Sequence, residues 1–204
     1  MKLVADRLAC ARGGRILFSD LSFVIEPGTA LILVGPNGAG KTSLIRIVAG
    51  LLAPTAGRVA IEGGKADCGI EEQCHYVGHL NAVKTSLTVE VNVGFWRCYL
   101  GGGPARVENA LAAFGLAALR DIPAGYLSAG QRRRLGLARV LAAERPIWLL
   151  DEPTTSLDSA SQDMLATAVN AHLAGGGLVM AATHTGLGFS SACELRLGAT
   201  ASSA

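Results

Sequence analysis

Apolar and polar residues alternate over residues 2–8 and 21–25, the period-two pattern of half-covered strands, and residues 29–34 form a continuous apolar run suited to a strand covered on both faces. That run leads straight into Gly35. From Ser43 the apolar positions take helical spacing until Gly50, where a residue without a Cβ can adopt the left-handed conformation that closes many helices. A turn at 54–57, a strand at 58–62, a polar loop over 63–73 and a strand near 75–78 follow. Residues of about 79–125 read as an inserted helical lobe, its helices separated by Gly101, Gly102, Gly103 and Pro104. An amphipathic helix over 129–142, a buried strand at 147–150, a helix over 159–172 and a last buried strand at 178–182 complete the pattern. Strands alternating with helices predict an α/β fold with a mostly parallel sheet, and a length of 204 residues predicts one domain. The small, polar tail 198–204 is expected to fray.

The boundary between the third strand and its helix carries the first chemistry. Gly35, Pro36, Asn37, Gly38, Ala39, Gly40, Lys41 and Thr42 match the phosphate-binding pattern G-x-x-x-x-G-K-[ST] at every fixed position, with Ser43 next in the candidate nucleotide site. Glycines let successive N–H groups curl toward phosphate oxygens, and the following helix presents its positive end to the same anion. Lys41 is expected to reach the β and γ phosphates and act in catalysis, and the Thr42 hydroxyl to bind Mg²⁺. Far along the chain, Ile147, Trp148, Leu149 and Leu150 end in two adjacent acids, Asp151 and Glu152. Mg²⁺ takes oxygen ligands, which makes Asp151 its second candidate ligand; Glu152 is the candidate general base for an attacking water. These two motifs alone would also fit a GTPase, a small-molecule kinase or a recombination ATPase, but no Asn-Lys-x-Asp guanine-reading motif is present.

Composition narrows the partners. Eighteen basic and 16 acidic residues give a formal charge of +2, too little to argue for nucleic acid. No uncharged stretch approaches the roughly 18 to 20 residues of a membrane helix; the nearest, 21–34, is broken by Glu26 and Pro27. The first residues lack the apolar run and cleavage site of a secretory signal, so a cytoplasmic location is expected. Cys10, Cys68, Cys74, Cys98 and Cys193 are odd in number and irregularly spaced, and read as free thiols. Cys74, His75 and His79 lack the paired spacing of a metal or haem site.

Leu127, Ser128, Ala129, Gly130 and Gln131 resemble the signature motif Leu-Ser-Gly-Gly-Gln of the ABC (ATP-binding cassette) ATPases, with alanine for the first glycine, just before a helix containing Arg132, Arg133 and Arg134. Ser156, Leu157 and Asp158 resemble the family's D-loop, and Thr183 with His184 its switch histidine. The resemblance spans nearly the whole chain. It implies an ABC fold: a P-loop NTPase core, an N-terminal antiparallel β subdomain and an inserted helical subdomain. It also implies ATP and Mg²⁺ as cofactors and a homodimer that sandwiches two ATP molecules, in which Ser128, Gly130 and Gln131 of one copy close on the nucleotide of the other. His184 would contact the γ-phosphate as a third catalytic residue beside Glu152 and Lys41.

Two positions depart from the family pattern. Where most members have a glutamine that touches Mg²⁺ and senses the membrane partner, this chain offers His79, with Gln73 too early. Where an aromatic usually stacks on adenine stands Arg12, whose guanidinium plane could stack on the base or simply be solvated. The stretch 76–90 followed by Gly94, Phe95 and Trp96 is similar to the ATP-binding subunits of bacterial haem exporters for cytochrome c maturation. That similarity implies transmembrane haem-exporter subunits as partners, received by the loop near 79–86, and a peripheral position on the cytoplasmic face of the bacterial inner membrane. Another small bacterial ABC transporter subunit, or a soluble ABC ATPase unconnected with transport, are the alternatives.

Overall fold

The computed structural model describes residues 1–65, 67–183 and 188–198. The chain opens with strands β1 (Lys2–Arg12) and β2 (Arg15–Ile25), followed by β3 (Ala30–Val34), α1 (Lys41–Val48), β4 (Ala56–Glu62), the single turn α2 (Ile70–Gln73) and β5 (Cys74–Val77). Helices α3 (Val89–Leu100) and α4 (Arg106–Ala113) form the lobe, and α5 (Ala129–Ala138), β6 (Ile147–Asp151), α6 (Ser159–Ala174), β7 (Leu178–Ala182) and β8 (Ala192–Arg196) complete the order. Two sheets result: a three-stranded antiparallel sheet β2-β1-β4 and a five-stranded sheet β5-β6-β7-β3-β8 in which every pairing is parallel.

Period-two geometry explains the layering. In β6, Ile147 and Leu149 pack on one side with α1 and the antiparallel sheet, while Trp148 and Leu150 pack on the other with α6 and the helical lobe. β7 divides the same way, Leu178 and Met180 against Val179 and Ala181. A strand with two buried faces has no polar side to show, which is why these segments read as unbroken apolar runs.

The structure corrects the sequence reading in several places. The N-terminal strands run further than 2–8 and 21–25, because Gly13 and Gly14, at φ 56° and 75°, turn the chain in the two-residue hairpin geometry that suits twisted strands. Irregularities in register between Ala5 and Ala11 break the alternation that would have revealed the full length. The strand 178–182 is not the last: β8 adds to the sheet edge beside β3, with Ala192, Cys193 and Glu194 exposed. An edge strand held mainly by its backbone ladder needs no apolar pattern. The polar loop 63–73 ends in α2, and the amphipathic helix ends at Ala138, continuing as a tighter turn over Arg139–Leu141. All five cysteines are free.

His75 in β5 is buried, with Nε2 2.9 Å from the Ala143 carbonyl oxygen. Burial pushes its pKa down to about 4, helped by the positive charges of Arg139, Arg145 and His172 and only partly opposed by the Ala143 carbonyl. The unfolded chain therefore takes up a proton as pH falls through the ordinary histidine range while the folded chain does not, so stability is lost between about pH 6.5 and 4, by on the order of 3 kcal/mol at the acid end. Relative to His75→Gln, the native chain is expected to lose stability between about pH 6.5 and 4 in denaturant titrations. A stability difference that stays constant across that range would contradict the linkage.

Candidate functional site

β3 ends at Val34 and α1 begins at Lys41, and the glycine loop between them is built from conformations few residues tolerate. Gly35, Gly38 and Gly40 sit at φ 146°, 80° and 101°. At Gly35 a Cβ would lie 2.3 Å from the Leu197 carbonyl oxygen, so the chain leaving β8 closes the back of the loop and admits only glycine there. Gly40 is the N-cap of α1 and contributes no side chain, leaving the first-turn N–H groups for an anion. Lys41 is buried and folds back over the loop, its Nζ donating to the carbonyls of Gly35 at 2.7 Å and Pro36 at 3.2 Å. The ammonium is thus held in place by bonds that a phosphate can replace.

Parallel pairing brings the acids to this loop. Asp151, only 2% exposed, ends β6 opposite Ala182 of β7, and its Oδ1 accepts a 3.0 Å hydrogen bond from Thr42 Oγ1. Glu152 donates its N–H to the Ala182 carbonyl at 3.0 Å and then turns left-handed, at φ 50°. A side-chain-bearing residue in that region costs on the order of 1 kcal/mol or more, a strain typical of functional positions. It takes the half-buried Glu152 out of the strand direction directly after Asp151.

The signature residues form a separate helix start. Ser128 is the N-cap of α5: its hydroxyl accepts from the Gln131 N–H at 3.2 Å, and the Gln131 side-chain oxygen accepts from the Ser128 N–H at 2.8 Å. This reciprocal capping, worth about 1 kcal/mol, still leaves the Ser128 hydroxyl proton free for an anion. Ser128 and Ala129 are exposed. A Cβ on Gly130 would come within 3.1 Å of the carbonyl oxygen of Ser156, itself left-handed at φ 66°, so the signature and D-loop residues adjoin within one subunit. Asp158 caps α6 by accepting from the Ser161 N–H at 2.8 Å, and this hydrogen bonding holds its carboxyl below the usual range.

The remaining expected residues are less gathered. His79 is exposed, just beyond β5. Gln73 is buried, and its side chain accepts from the Lys65 N–H and donates to the carbonyls of Lys65 and Cys68. Arg12 is exposed at the hairpin tip opposite Arg15. Leu17 and Phe18 of the same hairpin pack against the Gly40 position. His184 lies outside the described residues.

One residue went unassigned in the sequence reading. Arg133, 2% exposed, reaches from α5 to the carbonyls of Asp151, Glu152 and Pro153 and to Gly78 and Asn81. Burial lowers its pKa, against the pull of the Asp151 and Glu152 charges, and the guanidinium remains charged. Its signal was available: Arg133 shares helical spacing with the buried Gly136 and Leu137. A cavity of about 990 Å³ lies at the opposite ends of β6 and β7, by Pro146, Trp148 and His172, away from this constellation.

A glycine loop between a parallel strand and a helix, with a hydroxyl–carboxylate pair joining that helix to the end of a second parallel strand of the same sheet, defines the class: a nucleotide-binding P-loop protein. The family described as ABC transporter matches residues 18–155. The chain is 53% identical over 201 residues to the cytochrome c biogenesis ATP-binding export protein CcmA of Nitrobacter winogradskyi, and 55% identical to that of Rhodopseudomonas palustris, covering 98% of this chain and 100% of each relative. Among solved structures, an ATP-binding subunit of an ABC transporter superposes with a TM-score of 0.83 at 23% identity, covering 97% of this chain and 88% of the other. An ABC transporter ATP-binding protein from Pyrococcus furiosus gives 0.81 at 22% identity, covering 96% and 98%. The chain belongs to the ABC transporter family and, within it, to the cytochrome c biogenesis ATP-binding export proteins.

Replacing Lys41 with alanine removes the cation expected to face the phosphates. Lys41→Ala is expected to weaken ATP binding by about tenfold or more in a calorimetric titration while the circular dichroism spectrum stays unchanged; native affinity would exclude this loop as the nucleotide site.

Proposed function

We propose that this chain is the ATP-hydrolysing subunit of a bacterial ABC transporter that powers haem export, or release from a haem chaperone, in c-type cytochrome biogenesis. The observation that carries hydrolysis is the meeting of Thr42 and Asp151 across 109 residues of sequence, with Glu152 adjoining. The pathway rests on full-length identity above one half to export proteins of cytochrome c biogenesis.

In this reading the glycine loop 35–40, Lys41, Thr42 and Ser43 bind the phosphates of ATP. Thr42 and Asp151 would hold Mg²⁺: one hydroxyl and one carboxylate suit a cation that keeps water and phosphate oxygens as its other ligands. His79, in the loop after β5, would replace the family glutamine. Bound Mg²⁺ neutralises phosphate charge. Glu152 accepts a proton from water as its oxygen attacks the γ-phosphorus; the bond to the β–γ bridging oxygen breaks, and ADP and phosphate leave. His184 positions that water, and Arg12 stacks on the adenine.

The active form is a homodimer in which Ser128, Gly130 and Gln131 of one copy close over the γ-phosphate held by the other; the exposed, pre-capped start of α5 supports this. Each copy is one domain, with the lobe of about residues 79–125 inserted. Among the described residues no helix is long and apolar enough to cross a membrane. Instead, α3 shows an apolar stripe at helical spacing, Val91, Phe95 and Tyr99, with Phe95 57% and Tyr99 72% exposed and their rings stacked at 5.9 Å. The loop near 79–86, with Leu80 exposed, and this stripe together suit a coupling helix from a transmembrane subunit and a peripheral position on the cytoplasmic face of the inner membrane. The formal charge of +2 offers no matching surface for nucleic acid.

Glu152→Gln is expected to lower ATP turnover by about a hundredfold or more and to accumulate an ATP-bound dimer on size exclusion; unchanged turnover would remove Glu152 as the base. Affinity capture of the chain from solubilised native membranes is expected to recover transmembrane subunits with a haem-binding periplasmic protein. Reproducible recovery of an unrelated permease without haem would keep the ATPase and discard the pathway.

A further inference from the structure

The guanidinium of Arg133 has five N–H groups, and all five are used. Nε donates to the Pro153 carbonyl at 3.2 Å, and Nη2 to the carbonyls of Asp151 at 3.2 Å and Glu152 at 2.7 Å. Nη1 donates to the Gly78 carbonyl and to Asn81 Oδ1, both at 3.0 Å. The division is clean: one nitrogen serves the loop after β5, and the other two serve the strand end that carries the acids. Because the guanidinium is planar and rigid, its two ends cannot move independently.

We propose that Arg133 is the positioning residue through which the loop 78–81 sets the pose of Glu152. The inference deepens the proposed function and rests on Glu152 being the general base. Three successive carbonyls, from Asp151 to Pro153, converge on Arg133 because the left-handed Glu152 folds the backbone back on itself. The clamp holds that strained turn by hydrogen bonds to four backbone carbonyls and the Asn81 side-chain oxygen, with the Asp151 and Glu152 charges favouring the guanidinium. On the loop side the packing is tight: a Cβ on Gly136, one turn after Arg133, would sit 3.0 Å from both the Cβ and the backbone oxygen of Asn81. A shift of Asn81 therefore pushes on α5 and tilts the guanidinium together, and the tilt reaches Glu152 through the shortest of the five bonds. Lysine offers three N–H donors and glutamine two, so neither reproduces the clamp.

Asn81 tests this without touching phosphate, cation or base. In the purified full chain, Asn81→Ala is expected to lower kcat about tenfold with KM for ATP within about threefold of native, and Arg133→Lys to lower kcat further with KM again retained. Adding Asn81→Ala to Arg133→Lys is expected to cost nothing more, since the loop's route is already cut. A purely structural role would lower the melting temperature and leave kcat per folded molecule intact. That outcome, additive losses in the double variant, or full turnover in Arg133→Lys would each overturn the proposal. Native turnover in Glu152→Gln would overturn it differently, by removing the base itself, and is distinguishable because it leaves the Asn81–Arg133 coupling measurable.

Discussion

The hydrogen bond from Thr42 to Asp151 joins the first turn of α1 to the end of β6, and the rest of the site depends on it. It exists because the strands run parallel. Parallel strands end on one edge of the sheet, so the loop after β3 and the acids after β6 emerge side by side with β7 between them. An antiparallel β6 would deliver Asp151 to the far edge, beside the cavity at Pro146, and leave the glycine loop without a carboxylate. Both faces of the sheet are covered, which fixes the strand positions by packing and lets two polar side chains meet at low exposure.

Around that bond the protein spends backbone conformations that side chains normally avoid. Gly35 accepts contact with the Leu197 carbonyl, and Glu152 and Ser156 take left-handed geometry without being glycine. Such turns persist only where the surroundings hold them. Here the holding group is buried Arg133, whose bonds gather the backbone on both sides of Glu152 and connect it to the loop beyond β5. The same helix begins with the capped Ser128. A single helix thus carries an exposed, capped N-terminus at one end and the brace of the Asp151–Pro153 backbone near its middle.

Much of this was legible in the chain. Glycines at fixed spacing between an apolar run and a helical pattern can hardly be anything but a phosphate loop, because few other local structures require that order of backbone freedom and cationic side chain. The buried strands were legible because two covered faces demand unbroken apolar residues, whereas the reciprocal capping of α5 by Ser128 and Gln131 emerged only in the structure. The hairpin's reach to Arg12 and the edge strand β8 were not legible either, since irregular register and exposed side chains erase the periodic signal while the backbone ladder still forms.

Local sequence therefore determined the chemistry on offer: a glycine loop, two acids after a strand, a signature helix. Those features are written in neighbouring residues, whose spacing alone sets their geometry. Tertiary structure alone decided which of them meet. Thr42 finds Asp151, Gly35 is closed by Leu197, and Arg133 joins Gly78 and Asn81 to Glu152, each over separations that no periodicity encodes. Only the parallel order of strands, imposed by burying both faces of the sheet, brings such distant residues to one edge.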